Sequence, residues 1–222
     1  METLRPKFIT FDCYGTLTRF QMADMTRVMF ADRVAAEDIE RFINCFAAYR
    51  LDEVLGEWQP YDDVIRMALK RACKSWNIEY REQDLLDIYN AIPTWGPHDD
   101  VPEPLALVAK HYPLVIYSNA SNDQIGHNVD KLGAPFHKVF TAETARVYKP
   151  RLAAFEYMLE NLECGPEDVL HVSSSLRYDL MSANDMEIRN KVFVNRGHEP
   201  STPYYNYHEI RDLSGLPEIV GL

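Results

Sequence analysis

The sequence predicts an α/β fold in which a parallel sheet is flanked by helices and an all-helical insert follows the first strand. Three observations predict it: short apolar runs that end in small polar residues, helical periodicity between those runs, and an early stretch without strand patterns. The chain has 222 residues, of which 46% are hydrophobic and 26% are charged. This length and composition are typical of a globular protein with one or two domains.

The first predicted strand lies in residues 7–17, which read KFITFDCYGTL. Its β-prone residues stop at a single carboxylate, Asp12, and the residues that follow, Tyr14, Gly15 and Thr16, are typical of a turn. A lone carboxylate at the end of such an apolar strand is a candidate for a functional role.

Four further apolar runs predict the remaining strands. They cover residues 113–117 (PLVIY, followed by SNAS), 138–140 (KVF), 169–172 (VLHV, followed by SSS) and 192–194 (VFV). Helical periodicity separates them, for example at 125–132 and 152–162. Because strand and helix alternate, we expect a parallel sheet that is covered on both faces.

The insert covers residues 19–96 and contains no clear strand pattern. Two apolar helical faces, at 64–76 and 85–92, indicate that it is built from helices. The predicted domains are therefore a core of residues 1–18 and 97–222 and a helical cap of residues 19–96. We expect a cap in this position to close over the core as a lid.

Charge and cysteine content limit the function classes. A net charge of −11 argues against nucleic acid or an anionic membrane as a partner. No apolar run approaches the roughly 18 residues of a membrane span, and four unpaired cysteines suit a reducing compartment. We therefore expect a cytoplasmic protein.

The aromatic stretch 204–209 (YYNYHE) is either a surface for homodimer formation or part of the core of its own domain.

Polar residues follow three of the predicted strands: Asp12, Ser118 with Asn119, and Ser173 to Ser175. The carboxyl ends of parallel strands meet at one edge of the sheet, where ligands bind in folds of this class. These side chains are therefore expected to face one crevice. The alternative is that each of them caps the following helix, a common use of Asp, Ser and Asn.

Four motifs resemble those of the haloacid dehalogenase superfamily. They are FDCYGTL, SNAS at 118–121, VYKP at 147–150 and HVSSSLRYD at 171–179, and they occur in that family's order. The resemblance implies a Rossmann-like core with an inserted helical cap. It also implies that Asp12 is a nucleophile that forms a covalent aspartyl intermediate.

Departures from the superfamily pattern narrow the implied function. Most members are magnesium-dependent phosphatases with an acid two residues after the nucleophile and an acidic fourth motif. Here these positions hold Tyr14 and the pair Ser173 and Ser174. The chain is more similar to the L-2-haloacid dehalogenase (type II) branch, which uses no metal or cofactor. The implied reaction converts a short (S)-2-haloacid to the 2-hydroxy acid and halide.

The same resemblance implies the roles of individual residues. Lys149 keeps Asp12 ionised, Thr16 orients it, and Asp179 with Ser174 and Ser175 positions the water that opens the ester. The implied substrate-binding residues are Ser118 and Asn119 for the carboxylate, Arg50 for the halide, and Tyr14 and Trp58. A solvent-exposed helical arginine is the alternative for Arg50.

Two further differences from the dehalogenase branch affect this assignment. Members of the branch often read V-S-S-N-x-x-D in the fourth motif, whereas this chain has one more residue before Asp179 and lacks the Asn. Phe155 stands where the branch tends to have a Tyr. His171 lies inside a predicted strand and is interpreted as a packed core histidine. Two other functions stay open: a hydrolase that uses Asp12 on a strained ring carbon or phosphate ester, and a non-enzymatic scaffold.

Overall fold

The computed structural model describes residues 4–222 and divides the chain into two compact units. The core unit consists of the residues up to Arg19 together with Gly96–Leu222, and the helical unit is Phe20–Trp95. The sequence predicts divisions between residues 18 and 19 and between residues 96 and 97.

The core unit is built on one parallel sheet of six strands in the order β3-β2-β1-β4-β5-β6. The strands are β1 (Phe8–Phe11), β2 (Leu114–Ser118), β3 (Lys138–Thr141), β4 (Val169–Ser173), β5 (Asn190–Val194) and β6 (His208–Ile210). The fold class predicted from the sequence, a helix-flanked Rossmann-like parallel sheet, is confirmed.

Six helices accompany the sheet in the described part of the core unit. They are α5 (Pro102–Val108), α6 (Asn122–Val129), α7 (Ala142–Ala145), α8 (Leu152–Leu162), α9 (Met181–Asp185) and α10 (Leu216–Ile219). Successive side chains of a strand point to opposite faces. Ile9 and Phe11 accordingly pack in one apolar layer with residues of α5, α6 and α10. Phe8 packs in the other layer with residues of α8 and α9.

The helical unit contains α1 (Met22–Met29), α2 (Ile39–Leu55), α3 (Tyr61–Ser75) and α4 (Glu82–Ala91). The apolar face predicted for α3 is buried, with Val64, Ile65, Ala68, Leu69, Ala72 and Cys73 inside. On α4, Leu85 and Ile88 are buried, but Leu86, which the pattern placed on the same face, is exposed. Successive residues of an α-helix are rotated by about 100° around the helix axis, so Leu86 points away from the face on which Leu85 and Ile88 are buried.

The sixth strand was not predicted. It lies in the aromatic stretch 204–209 and continues to Ile210, pairing in parallel with β5 at the sheet edge. Tyr205 and Tyr207 pack against a buried cluster of Leu176, Leu180 and Phe193. These residues therefore pack within their own unit, although Tyr204 remains exposed. Across residues 4–222, no helix combines the length and apolar character that crossing a bilayer requires.

Candidate active site

Three polar groups predicted to share a crevice lie at the carboxyl edge of the sheet. Asp12 directly follows the central strand β1, Ser118 ends β2, and Ser173 ends β4. The backbone N–H of Asp12 donates to the carbonyl of Val172, a bond that continues the β1–β4 ladder to the carboxylate. Parallel pairing thus fixes the position of Asp12 relative to both neighbouring strands.

Lys149 connects the two carboxylates of the site. Its Nζ donates to Oδ1 of Asp12 at 2.9 Å, to Oδ1 of Asp179 at 2.7 Å and to the carbonyl of Tyr117 at 2.9 Å. An ammonium group has three N–H donors, so these three bonds use all of them. The side chain is 1% exposed, and the ion pairs are therefore little screened by solvent.

Asn119 fixes the backbone that carries this lysine. Its side-chain amide donates to the carbonyl of Lys149 and accepts from the N–H of Lys149, both at 2.8 Å. The sequence had assigned Asn119 to the substrate carboxylate. In the structure its amide group is engaged in holding Lys149 across the site.

The electrostatics of the site differ between the two carboxylates. Burial raises the pKa of Asp12, and although Lys149 opposes the rise, the neighbouring Asp179 adds to it, so this pKa lies above the usual value. Burial also acts to raise the pKa of Asp179, but Lys149 and His171 outweigh it and leave this pKa below the usual value. Asp179 is thus the more firmly ionised of the pair.

The thiol next to the candidate nucleophile stays neutral. Burial raises the pKa of Cys13 to about 12, although its hydrogen bond to Thr18 opposes the rise. A thiol is a weak nucleophile until it loses its proton. At neutral pH, Asp12 therefore has no competing thiolate beside it.

Thr16 and Ser174 orient the second oxygen of Asp12. The Thr16 hydroxyl donates to Oδ2 of Asp12 at 2.7 Å and accepts from the backbone N–H of Ser174 at 2.8 Å. Arg196, which the sequence did not single out, donates twice to the carbonyl of Thr16, at 2.9 and 3.1 Å. Two further bonds of 2.9 Å join Arg196 to the carboxylate of Asp100. The turn after β1 is thus bound by the Arg196–Asp100 ion pair through the carbonyl of Thr16.

Three other predicted site residues of the core unit, Ser118, Tyr14 and Ser175, differ in their hydrogen-bond partners. Oγ of Ser118 is buried and has no hydrogen-bond partner among residues 4–222. The Tyr14 hydroxyl donates to Oδ1 of Asn128 at 2.7 Å. Oγ of Ser175 accepts from the N–H of Tyr178 at 3.1 Å and bonds Glu199 at 3.0 Å, which is the helix-capping arrangement. The capping alternative therefore describes Ser175.

Asp179 lies on a π-helical turn, Leu176–Leu180. The N–H of Leu180 donates to the carbonyl of Ser175, five residues earlier, at 3.2 Å. A π-turn contains one residue more than the corresponding α-helical turn. It therefore accommodates the additional residue of the fourth motif while Asp179 still reaches Lys149.

His171 is buried inside β4, as predicted, but it also contacts the site. Its Nε2 lies 3.0 Å from Oδ1 of Asp179, and its Nδ1 lies 2.9 Å from the hydroxyl of Thr10. The sequence showed an apolar strand with one polar residue two positions before the strand end. That pattern indicates a buried polar group that needs a hydrogen-bond partner, but it does not identify Asp179 as the partner.

The donors at this edge of the sheet do not fit a divalent metal ion. Magnesium needs several oxygen ligands in near-octahedral geometry. Here Oδ1 of Asp12 and Oδ1 of Asp179 both face the Lys149 ammonium, and Tyr14 and Ser174 bring no carboxylate. In the part of the chain that is described, no three His, Cys, Asp or Glu side chains are grouped to hold a metal.

Two predicted site residues belong to the helical unit. Arg50 lies on α2, with its guanidinium carbon 5.0 Å from the ring centre of Phe46 and 5.3 Å from that of Phe20. Its Nε is buried and lacks a hydrogen-bond partner among residues 4–222, which differs from a solvated helical arginine.

Tyr61 lies beside Arg50. Burial raises the pKa of Tyr61, although the charge of Arg50 and its hydrogen bond oppose the rise, so Tyr61 stays neutral. Trp58 lies in the connection between α2 and α3.

The parallel α/β sheet presents two carboxylates and a buried lysine at its carboxyl edge. Comparison with known families identifies the class of protein. The model of the haloacid dehalogenase-like hydrolases matches residues 6–186. The chain belongs to this family.

Individual relatives cover nearly the whole chain. The (S)-2-haloacid dehalogenase 1 of Pseudomonas sp. (strain CBS-3) is 24% identical over 220 residues, which are 95% of this chain and 94% of that protein. The L-2-haloacid dehalogenase from Xanthobacter autotrophicus with chloropropionic acid covalently bound superposes with a TM-score of 0.76 at 21% identity, over 97% of this chain and 98% of that one. A haloacid dehalogenase-type hydrolase from Bacillus subtilis bound to magnesium gives a TM-score of 0.82 at 18% identity, covering 99% and 100%.

Proposed function

We propose that the protein is a hydrolytic dehalogenase that converts a short-chain (S)-2-haloacid to the 2-hydroxy acid and halide through an ester on Asp12. One observation carries this proposal: a buried lysine ammonium bonded to the carboxylate of Asp12 and to that of Asp179. Such a site contains a nucleophile, a fixed cation that keeps it ionised, and a second carboxylate for hydrolysis. The names of the relatives from Pseudomonas and Xanthobacter support the same substrate class.

In the first step the carboxylate of Asp12 attacks C2 of the haloacid. The new C–O bond forms as the carbon–halogen bond breaks, and the halide leaves with the bonding electrons and needs no proton. Attack from the opposite side inverts the configuration at C2. Thr16 and Lys149 each bind one oxygen of Asp12, so the carboxylate is held in one orientation before the substrate arrives.

In the second step water opens the ester. The water loses a proton to Asp179 while its oxygen attacks the ester carbonyl of Asp12. The tetrahedral intermediate then releases the 2-hydroxy acid, whose hydroxyl oxygen comes from Asp12, and the water oxygen remains in the carboxylate. Asp179 returns the proton to the departing alkoxide. Asp12, which is left as a carboxylic acid, then loses the second proton of the water to solvent, and this restores the starting state.

The substrate groups are assigned to donors that have spare capacity. The unpartnered hydroxyl of Ser118 suits the substrate carboxylate, and the Asn119 amide, which donates one of its two N–H groups to the carbonyl of Lys149, has a second N–H for the same carboxylate. Arg50 is the candidate for the halide, because a guanidinium is a weakly hydrated cation and its Nε has a donor to spare.

The reaction proposed here needs no metal. Phosphoryl transfer in this superfamily depends on magnesium to neutralise phosphate oxygens, and the donor set of Asp12, Asp179 and Lys149 suits a fixed ammonium instead. Tyr14 also provides no general acid for an alkoxide leaving group. A haloacid requires neither of these functions.

A halide-release screen tests the proposal. Chloro-, bromo- and fluoroacetate and both enantiomers of 2-chloropropionate are incubated with the protein after exhaustive EDTA treatment, with Asp12→Asn as the matched inactive control. We expect halide from the (S)-enantiomer and none from the control. Magnesium-dependent release of phosphate from aryl phosphates, abolished by Asp12→Asn, would instead assign the site to a phosphatase.

A further inference from the structure

The imidazole of His171 is part of a continuous chain of buried polar groups. The chain runs from the Thr10 hydroxyl to Nδ1 of His171, from Nε2 of His171 to Asp179, and from Asp179 through Lys149 to Asp12. Thr10 and His171 are register partners on β1 and β4 and are fully buried, as is Asp179. The backbone pairing therefore sets the distance between the imidazole and the site.

The direction of the hydrogen bonds follows from charge. Asp179 has a pKa below its usual range and is a carboxylate at neutral pH, so it can only accept. Nε2 of His171 must then carry the proton that it shares with Oδ1 of Asp179. In a neutral ring with that proton, Nδ1 accepts from the Thr10 hydroxyl at 2.9 Å, which is shorter than the 3.4 Å to that hydroxyl's other acceptor, the carbonyl of Leu170.

The two oxygens of Asp179 consequently differ. Oδ1 accepts from Lys149 at 2.7 Å and from His171 at 3.0 Å. Oδ2 is buried and accepts no hydrogen bond from any described residue. A buried carboxylate oxygen without a donor is costly unless a ligand or water uses it.

We propose that His171 is a positioning residue for the hydrolytic half-reaction: by donating to Oδ1 of Asp179 it directs Oδ2 toward the water that opens the Asp12 ester. Rotation of the carboxylate would exchange its oxygens and break two charge-assisted bonds at once, so the pair of donors holds Oδ2 in place. The ring of Phe155 packs edge-to-face against the imidazole, with the two ring centres 5.4 Å apart. This inference rests on the proposed function, because the water and the ester are those of the dehalogenase reaction.

The first test is independent of activity. The ring nitrogens of selectively ¹⁵N-labelled histidine are observed by long-range ¹H–¹⁵N correlation, and the His171 signals are assigned by their loss in His171→Phe. We expect a protonated Nε2, and we expect its resonance to move in Asp179→Asn. A neutral ring with its proton on Nδ1 would overturn the proposal, even if the Phe variant proved too unstable for kinetics.

The second test separates the two half-reactions. Single-turnover experiments with (S)-2-chloropropionate follow the halide burst and, by mass spectrometry, the ester on Asp12. In His171→Phe, which keeps the ring volume but has no donor, we expect ester hydrolysis to slow about ten- to a hundredfold while the burst changes less than about threefold. His171→Gln places an amide N–H near Asp179, and hydrolysis should recover to within a few fold of wild type.

Unchanged hydrolysis in His171→Phe, or an equal loss of burst and hydrolysis, would refute the positioning role. Absence of halide from the wild-type protein with every 2-haloacid has a different meaning. That result would overturn the proposed function, and the ring-nitrogen measurement would still decide whether His171 donates to Asp179.

Discussion

Replacing Lys149 with Met removes the only cation bonded to the two site carboxylates in the described chain while it preserves much of the side-chain volume. At 2.9 Å, the attraction between Lys149 and Asp12 is about 6 kcal/mol for an effective dielectric constant of about 20. Part of this attraction offsets the desolvation of the buried charges. Removing one member of a buried ion pair typically destabilises a protein by about 3–5 kcal/mol, and we expect a loss in free energy of unfolding of that size at pH 7.

The loss should depend on pH with a definite sign. Without Lys149, the pKa of Asp12, already raised by burial and by Asp179, rises further in the folded state. A carboxyl group with a raised folded-state pKa binds protons more tightly when folded, so lowering the pH toward that pKa stabilises the folded form. The variant should therefore lie closer to wild type at pH 5 than at pH 7.

Urea unfolding of wild type and Lys149→Met at pH 5 and pH 7 measures this difference, and single-turnover halide release should fall at least about a thousandfold. Lys191→Met is the matched control. Lys191 is also buried, at 3% exposure, but its Nζ bonds the backbone carbonyl of Ile188 at 2.7 Å. The control should keep its activity. An equal loss of stability at both pH values in Lys149→Met would refute the electrostatic reasoning.

Three further predictions concern the chemistry. Asp179→Asn removes the negative charge that helps to raise the pKa of Asp12, so the acid limb of the pH profile for ester formation should move to lower pH. An unmoved limb would mean that Asp12 does not titrate in that pH range. In Arg50→Lys, halide release should fall by about ten- to a thousandfold with the melting temperature little changed, and wild-type rates would exclude Arg50 from halide binding. In a single turnover in H₂¹⁸O, the label should enter the carboxylate of Asp12, as read by peptide mass spectrometry, whereas label in the first product molecule would mean that water attacks the substrate carbon.

The parts of the fold that sequence patterns predicted are those with strong local signals. Five apolar runs predicted strands β1 to β5. Four of them are buried along most or all of their length, as is typical of a parallel sheet, whereas β3 lies at the sheet edge and is exposed at its first two residues. Strand β6 escaped prediction because it has only three residues and lies at the edge, where His208 and Glu209 carry no apolar pattern. Tertiary pairing with β5 decides its conformation.

The site was predictable to the extent that strand ends define it. The positions of Asp12 and Ser118 follow from the parallel sheet, and the contact of Asp12 with Lys149 was expected from the resemblance. The bonds of the Asn119 amide to the backbone of Lys149 could not be predicted, since they depend on how the loop folds. The contact between His171 and Asp179 depends on the conformation of the π-helical turn that carries Asp179, and the sequence pattern of β4 does not specify it.

The π-helical turn before Asp179 has a consequence for how such proteins are recognised. The π-helical turn Leu176–Leu180 accommodates one additional residue while Asp179 stays bonded to Lys149. The number of residues between the serines of the fourth motif and its aspartate can therefore differ by one without a change in the site. Pattern searches that fix this interval would reject the present chain. Its function would then be sought elsewhere, although the aspartate that such a search requires stands 2.7 Å from the lysine.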